Sequence, residues 1–209
     1  MTLVHIWQPD EEPELGTILE NVWHLLGVGL RNRKHGFHLP VVATSTPDEG
    51  PDVRKVVLRG VDRAHRLLRF HSDARSSKIR QIEQNPRVAF AFYDAAEETQ
   101  VRIQAQAKVH RSDDAANAAW QGTRLFSRRC YLAEGAPGSP NELPTSGLPN
   151  VFSDRNPTEE ESRAGRANFA IVLSEIRRLD WLYLCHQGHR SARFTWDEAG
   201  KLTSTWVQP

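Results

Sequence analysis

Cysteine is scarce in this chain: only two of the 209 residues are cysteine. Cys130 and Cys185 do not form a CxxC pair, which excludes a zinc-ribbon or disulfide-stapled scaffold and suits reduced thiols in a cytoplasmic protein. An excess of charge of one sign is also lacking. With 27 basic and 26 acidic residues, there is no surplus of Lys and Arg from which to build a broad nucleic-acid surface. A local basic pocket for one phosphate is still allowed. No apolar run approaches the roughly 18–20 residues that cross a bilayer, so no membrane partner is expected. Met1 to Glu14 carries acids and no apolar stretch, unlike a signal peptide. Internal repeats are missing, and so is the alternation of strand and helix that marks a parallel doubly wound sheet.

What is present is ordinary globular composition, 25% charged and 39% hydrophobic. The length fits a single domain over residues 1–209, with a core large enough to need no staple. Leu15, Ile18, Leu19, Val22, Leu26 and Leu30 recur at three- and four-residue spacing. They predict a helix over about residues 12–33, with Asp10 and Pro13 as start signals and Gly27 and Gly29 weakening or ending it. The period then changes. Residues 39–44 read as a strand, 46–51 as a turn, and 53–61 as the hairpin partner. A third strand at 67–71 precedes a short helix at 75–84, stopped by Asn85-Pro86. Residues 88–93 are nearly all apolar, as in a strand buried on both faces. Val101, Ile103, Ala105, Ala107 and Val109 alternate with polar residues, predicting a long half-solvated strand. A helix at 113–120 follows, then a Pro/Gly/Ser-rich loop at 133–157, where a length without structure suggests a lid or a subunit contact. Strands at 168–174, 179–185, 191–196 and 203–207 complete the chain. The expected class is mainly antiparallel β, a β-barrel with peripheral helices.

Two segments place cations where core-forming elements do not need them. In Arg54-Lys55-Val56-Val57-Leu58-Arg59, strand alternation puts a cation beside apolar groups on each face. A planar apolar ligand with an anionic tail would use such a surface; side chains snorkelling from a surface strand are the alternative. In His71-Ser72-Asp73-Ala74-Arg75-Ser76-Ser77-Lys78, a strand runs into a helix whose first turn offers free N–H groups, hydroxyls and a lysine. That is a phosphate seat, or an ordinary capped helix with Lys78 in water.

Taken together and in order, these segments resemble the pyridoxamine 5′-phosphate oxidase family of FMN-binding split barrels. The similarity is greatest to its bacterial subgroup of pyridoxamine 5′-phosphate oxidase-related proteins. It continues through Asn85-Pro86-Arg87-Val88-Ala89, Gln100-Val101-Arg102-Ile103, a helix from Trp120 to Tyr131, and the ending from Asp180-Trp181-Leu182 through Arg190 and Arg193 to Pro209. The resemblance implies that Arg54 and Lys78 hold the FMN phosphate, helped by Arg75, Ser76 and Ser77. Lys55, Val56, Val57, Leu58 and Arg59 would run along the ribityl chain and ring. His71, Ser72, Gln100 and Tyr183 fall at flavin-contacting positions, and Arg193 at the pyrimidine end of the ring. Related barrels form homodimers that share each site, so Gln100 and the C-terminal residues would reach the partner's cofactor. Arg59, Arg124 and Arg190 correspond to substrate-binding positions.

The chain departs from the family where a vitamin B6 substrate is held. The Arg-x-His pair near the substrate ring reads His189-x-Ser191 here, Trp120 stands where a Tyr is expected, and the Arg-x-Ser-Gln segment is Phe126-Ser127-Arg128-Arg129. The implied function is an FMN-dependent oxidoreductase acting on a small molecule. The alternatives are a non-catalytic FMN carrier or sensor, and a heme- or deazaflavin-using enzyme on the same fold. Elsewhere, His186-x-x-His189 has metal-like spacing without further ligands, so no metal is expected. Cys130 beside two arginines has the setting of a lowered thiol pKa. Six tryptophans without a basic face read as packing rather than a base-stacking platform.

Overall fold

The alternation from Val101 to Val109 becomes the spine of the molecule. In the computed structural model, which describes residues 13–48 and 50–209, it lies in strand β6 (Thr99–His110), whose apolar positions face the core. Asp10, the expected start signal, falls outside the described residues. Around β6 stand β1 (Val41–Thr46), β2 (Gly50–Lys55), β3 (Leu58–Asp62), β4 (Leu67–Asp73), β5 (Arg87–Asp94), β7 (Phe169–Tyr183), β8 (Arg190–Trp196) and β9 (Leu202–Val207). Every pairing is antiparallel, in the order β2-β1-β5-β6-β7-β4-β3, with β8 and β9 attached to β7. The expected antiparallel β class therefore stands. Helices α1 (Leu15–Arg31), α2 (Ser77–Gln84), α3 (Asp114–Gln121), α4 (Leu125–Arg128) and α5 (Glu159–Ser162) are peripheral.

Two strands are longer or shorter than the sequence suggests. The segments at 168–174 and 179–185 are one strand, β7. Its first half pairs with β4 and its second with β8, while β6 runs along both. A register shift at Gln104/Ala105 lets β7 bend from one neighbour to the other, so the polar run around Glu175 to Arg178 marks a bulge rather than a gap. Residues 53–61, by contrast, are two strands. β2 pairs with β1 and β3 with β4, and between them the Val56 N–H donates to the Pro40 carbonyl (3.0 Å).

Helix α1 does not end at its glycines. A Cβ at Gly29 would stand 2.7 Å from Phe37, and the Gly29 carbonyl accepts a bond from His38 Nδ1 at 2.7 Å. This glycine permits close packing of the next turn while Ile18, Val22 and Leu26 enter the core. In β5 the expectation of two buried faces fails. Val88, Phe90 and Phe92 are buried, but Ala89, Ala91 and Tyr93 are exposed. With Val41, Ala43 and Val53 the two alanines form an apolar outer surface on this side of the sheet.

Candidate functional site

The break between β2 and β3 has a chemical consequence. A continuous strand would send Arg54 and Lys55 to opposite faces; here Arg54, Lys55, Val56, Val57 and Arg59 all line one cleft of about 1130 Å³. Leu58 instead enters the core. The floor is the end of β4, where Ser72 pairs with Ala170 and Asp73 with Phe169. His71, Ser72 and Asp73 face the cleft, and Lys78 reaches it from the first turn of α2.

Residues 72–78 form a compact donor cluster. Ser76 is the N-cap of α2, yet its hydroxyl makes no cap bond and donates to the Asp73 carbonyl at 2.8 Å. The N–H groups of Ser77 and Lys78 therefore open the helix without side-chain caps. Ser72 Oγ and Ser76 Oγ lie 3.0 Å apart, and Lys78 Nζ donates to each at 3.2 Å. Among the described residues no carboxylate is bonded to that ammonium. Burial, reinforced by the Arg54 charge, lowers the Lys78 pKa, against the pull of Asp73 and Asp52. Arg54 stands alongside, held by Asp52, by the Thr44 hydroxyl and by Gln81 Oε1 at 3.1 Å. A half-buried cation with only hydroxyls for partners, at an uncapped helix start, is the chemistry that a terminal phosphate completes. The donor set fits FMN.

His71 has a different character. Burial, with the charges of Arg69 and Arg59, pushes its pKa down to about 3, so the imidazole is neutral in ordinary buffers. Its Nε2 is buried without a hydrogen-bond partner among the described residues. The ring rests edge-on against Phe169, 5.0 Å between centroids. Phe169 also meets Trp120 (5.1 Å) and Tyr131 (5.0 Å), forming a second small core on the outer side of β7.

That second core carries another wall of the cleft, built from Thr123, Phe126, Ser127, Arg129 to Tyr131 and much of 133–150. The expected helix from Trp120 to Tyr131 is instead α3, α4 and a 3-10 turn, Arg129–Leu132. Arg128 is buried over the Trp120 ring, bonded to Glu159 (2.6 Å) and to the Thr123 and Gln121 carbonyls. It is a strut, not a ligand. Burial raises the Cys130 pKa, contrary to the expected lowering, and also raises that of Tyr131. The role of 133–150 was visible in the sequence only as its density of Pro, Gly and Ser.

Not every expected site residue is in this cleft. Arg75 turns away from it, gripping Asp73 through Nε and Nη2. Ser77 is exposed at the first turn of α2, and Ser76 sits behind Ser72. Arg124 is exposed before α4, next to Thr123 on the cleft wall. Gln100, Tyr183, Arg190 and Arg193 belong to a separate region on β6, β7 and β8, outside the cleft lining. There the Tyr183 hydroxyl donates to Glu98 at 3.2 Å, and Arg193 Nε donates to Asp180 at 2.8 Å. Burial alone would raise the Asp180 pKa, but bonds from Arg178 and Arg193 outweigh it and hold the carboxylate below its ordinary value. Arg190 donates to the Gly188 and His189 carbonyls, and Ser191 Oγ to the Trp181 carbonyl at 2.9 Å. Among the described residues there is no cluster of three or more metal-ligating side chains.

Known proteins resemble this chain in sequence and fold. Residues 21–111 match the family model described as "Pyridoxamine 5'-phosphate oxidase, FMN-binding domain". A pyridoxine/pyridoxamine 5'-phosphate oxidase of Rubrobacter xylanophilus is 45% identical over 67 residues, 32% of this chain and 30% of the relative. That of Gluconobacter oxydans is 32% identical over 123 residues, 59% of this chain and 54% of the relative. The chain thus spans about half, or less, of the curated relatives it matches. In three dimensions it resembles a pyridoxamine 5'-phosphate oxidase-related, FMN-binding protein of Nostoc punctiforme, with a TM-score of 0.73 and 24% identity over 91% of this chain and 96% of that one. PhzG of Burkholderia lata, crystallised with tetrahydrophenazine-1-carboxylic acid, gives 0.67 and 19% identity over 99% of each chain. No described helix is long and apolar enough to cross a membrane. The chain thus resembles the pyridoxamine 5′-phosphate oxidase-type FMN-binding split-barrel proteins, and FMN is the cofactor of the domain that residues 21–111 match.

Proposed function

We propose that this protein is a cytoplasmic FMN-dependent oxidoreductase that acts on a small molecule as a homodimer with shared cofactor sites. The observation that carries this reading is the Lys78 ammonium, half-buried between two serine hydroxyls at the uncapped start of α2. Lys78, Arg54, Ser72, Ser76 and the first N–H groups of α2 would hold the phosphate. Lys55, Val56, Val57, Arg59 and His71 would line the ribityl chain and ring. FMN, when bound, supplies two-electron chemistry that no side chain of this site can supply.

The chain's own contribution is binding, orientation and charge. His71 stays neutral, so it offers hydrogen bonding without adding a cation. The 133–150 segment lines the cleft and would limit water at the reacting ring. Gln100, Tyr183 and Arg193 lie outside the cleft that contains Lys78, an arrangement suited to a site completed by a second copy. The apolar outer face of β1 and β5 is the surface proposed to meet that copy.

The test is an absorbance spectrum of the purified protein and a calorimetric titration with FMN. A yellow protein with one FMN per chain is expected. A colourless protein that takes up no FMN would remove the basis of the proposal.

A further inference from the structure

We infer that Arg75 is a positioning residue that couples the phosphate seat to the roof of the cleft, so that an anion at Lys78 orders the loop around residues 133–148. This rests on the FMN reading above, and it deepens it by assigning a role to a residue that lies outside the cleft lining.

The guanidinium of Arg75 spans two parts of the chain. On one side Nε and Nη2 donate to the Asp73 carboxylate at 3.0 and 2.8 Å, and the Arg75 N–H adds a third bond to Asp73 at 2.8 Å. On the other side Nη2 donates to the Ala133 carbonyl at 2.9 Å and Nη1 to that of Glu134 at 3.1 Å. These two carbonyls lie at the neck of the roof, where the Glu134 N–H donates to the Gly147 carbonyl at 3.0 Å and closes the intervening residues into a compact loop. That loop lines the cleft, whereas Arg75 does not.

Asp73 is the shared element. Its carbonyl accepts the Ser76 hydroxyl, one of the two hydroxyls that hold Lys78, and its carboxylate holds Arg75. An anion drawn to Lys78, Ser72 and Ser76 restrains residues 72–78, and the planar fork of Arg75 passes that restraint to both neck carbonyls. A lysine cannot make this double span, because it offers a single point of charge. Coupling of this kind is reciprocal: a looser neck weakens retention of the anion.

Hydrogen–deuterium exchange over 133–148 tests the coupling, with FMN, riboflavin and inorganic phosphate as separate probes. In the native protein, FMN and millimolar phosphate are expected to slow exchange in this segment at least about tenfold, a factor worth about 1.4 kcal/mol. Riboflavin, which lacks the phosphate, should slow it much less. Arg75→Ala and Arg75→Lys should still bind FMN, yet lose the phosphate-dependent slowing and release FMN faster. Equal slowing in native and variant proteins would overturn the inference, as would riboflavin protecting as strongly as FMN. Failure of the FMN reading would show separately, as absent flavin binding with the phosphate effect intact. If Arg75→Ala does not fold, Arg75→Lys carries the comparison.

Discussion

Lys78 Nζ and Ser72 Oγ lie 3.2 Å apart, and this ammonium, lowered in pKa by its burial, is poorly compensated until an anion arrives. If Lys78 holds the FMN phosphate, the protonated form is the one bound, so affinity should fall as pH rises through the Lys78 pKa. That fall is expected below the ordinary lysine value of 10.5. Lys78→Arg, always charged, should extend binding to higher pH. Titrations between pH 7 and 10.5 check this; an identical alkaline limb in both proteins would count against Lys78 as a phosphate ligand.

Removing the charges should strip the cofactor. Each of Lys78→Ala and Arg54→Ala would delete a charge-assisted contact worth about 1.5–3 kcal/mol, so each should weaken FMN binding roughly 10- to 150-fold. The double variant should purify without colour. Arg54 also ties Thr44 and Gln81 together, so its variant should lose some thermal stability as well. Calorimetry and thermal unfolding separate the two effects.

His71 makes a stability prediction on the acid side. Its folded pKa, about 3, lies below the ordinary 6.5. Folding therefore favours the neutral ring, and the stability this gives is complete above pH 6.5 and lost as pH falls towards 3. His71→Phe, which can still pack on Phe169, should shift the acid-unfolding midpoint to lower pH. No change in the midpoint would mean that other groups govern acid unfolding.

The apolar outer face of β5 predicts the oligomer. Ala89→Arg or Ala91→Arg places a charge on a surface that a second copy would cover, and either should shift a dimer towards monomer in sedimentation while lowering FMN affinity. A native protein that sediments as a monomer and still binds FMN tightly would contradict shared sites.

Much of this was legible because it is local. The proposed phosphate seat is centred on a contiguous run from Ser72 to Lys78, and the face of β6 is written in the alternation from Val101 to Val109. The wall on the second core was not legible. Its place depends on Phe169 meeting Trp120 and Tyr131, and on Arg75 binding the backbone carbonyls of Ala133 and Glu134; carbonyls leave no trace in a sequence. The open face of β5 is not legible in the sequence, because alanine suits a buried strand and an exposed one equally well. The resemblance implies Arg75 at the phosphate, but a matched position carries proximity to the seat and not the direction of the side chain, which here grips Asp73 and the Ala133 carbonyl.

Substrate choice gives the last prediction. Ser191 stands where the family has an imidazole, and its hydroxyl is buried and committed to the Trp181 carbonyl. Arg190, one position away, is exposed and bonded to its own loop. A missing hydrogen bond to the substrate often costs about 1–3 kcal/mol. Oxidation of pyridoxine and pyridoxamine phosphates should therefore run at least about tenfold below that of a family oxidase carrying the pair. Steady-state peroxide release measures it, and efficient turnover of either compound would show that Arg190 moves into the missing role.

The pairing of β4 with β7 also bears on how the protein reaches its folded state. Asp73 meets Phe169 across a long stretch of chain that includes β5, β6 and the whole roof of the cleft. Contacts so distant in sequence form slowly, because a large loop must close before they contribute. The floor beneath the phosphate seat is thus completed only when β7 docks, after the β1–β2 and β5–β6 hairpins have had time to form. FMN added during refolding should accordingly leave the early collapse unchanged and act on the final step, by trapping chains in which β4 and β7 are already joined.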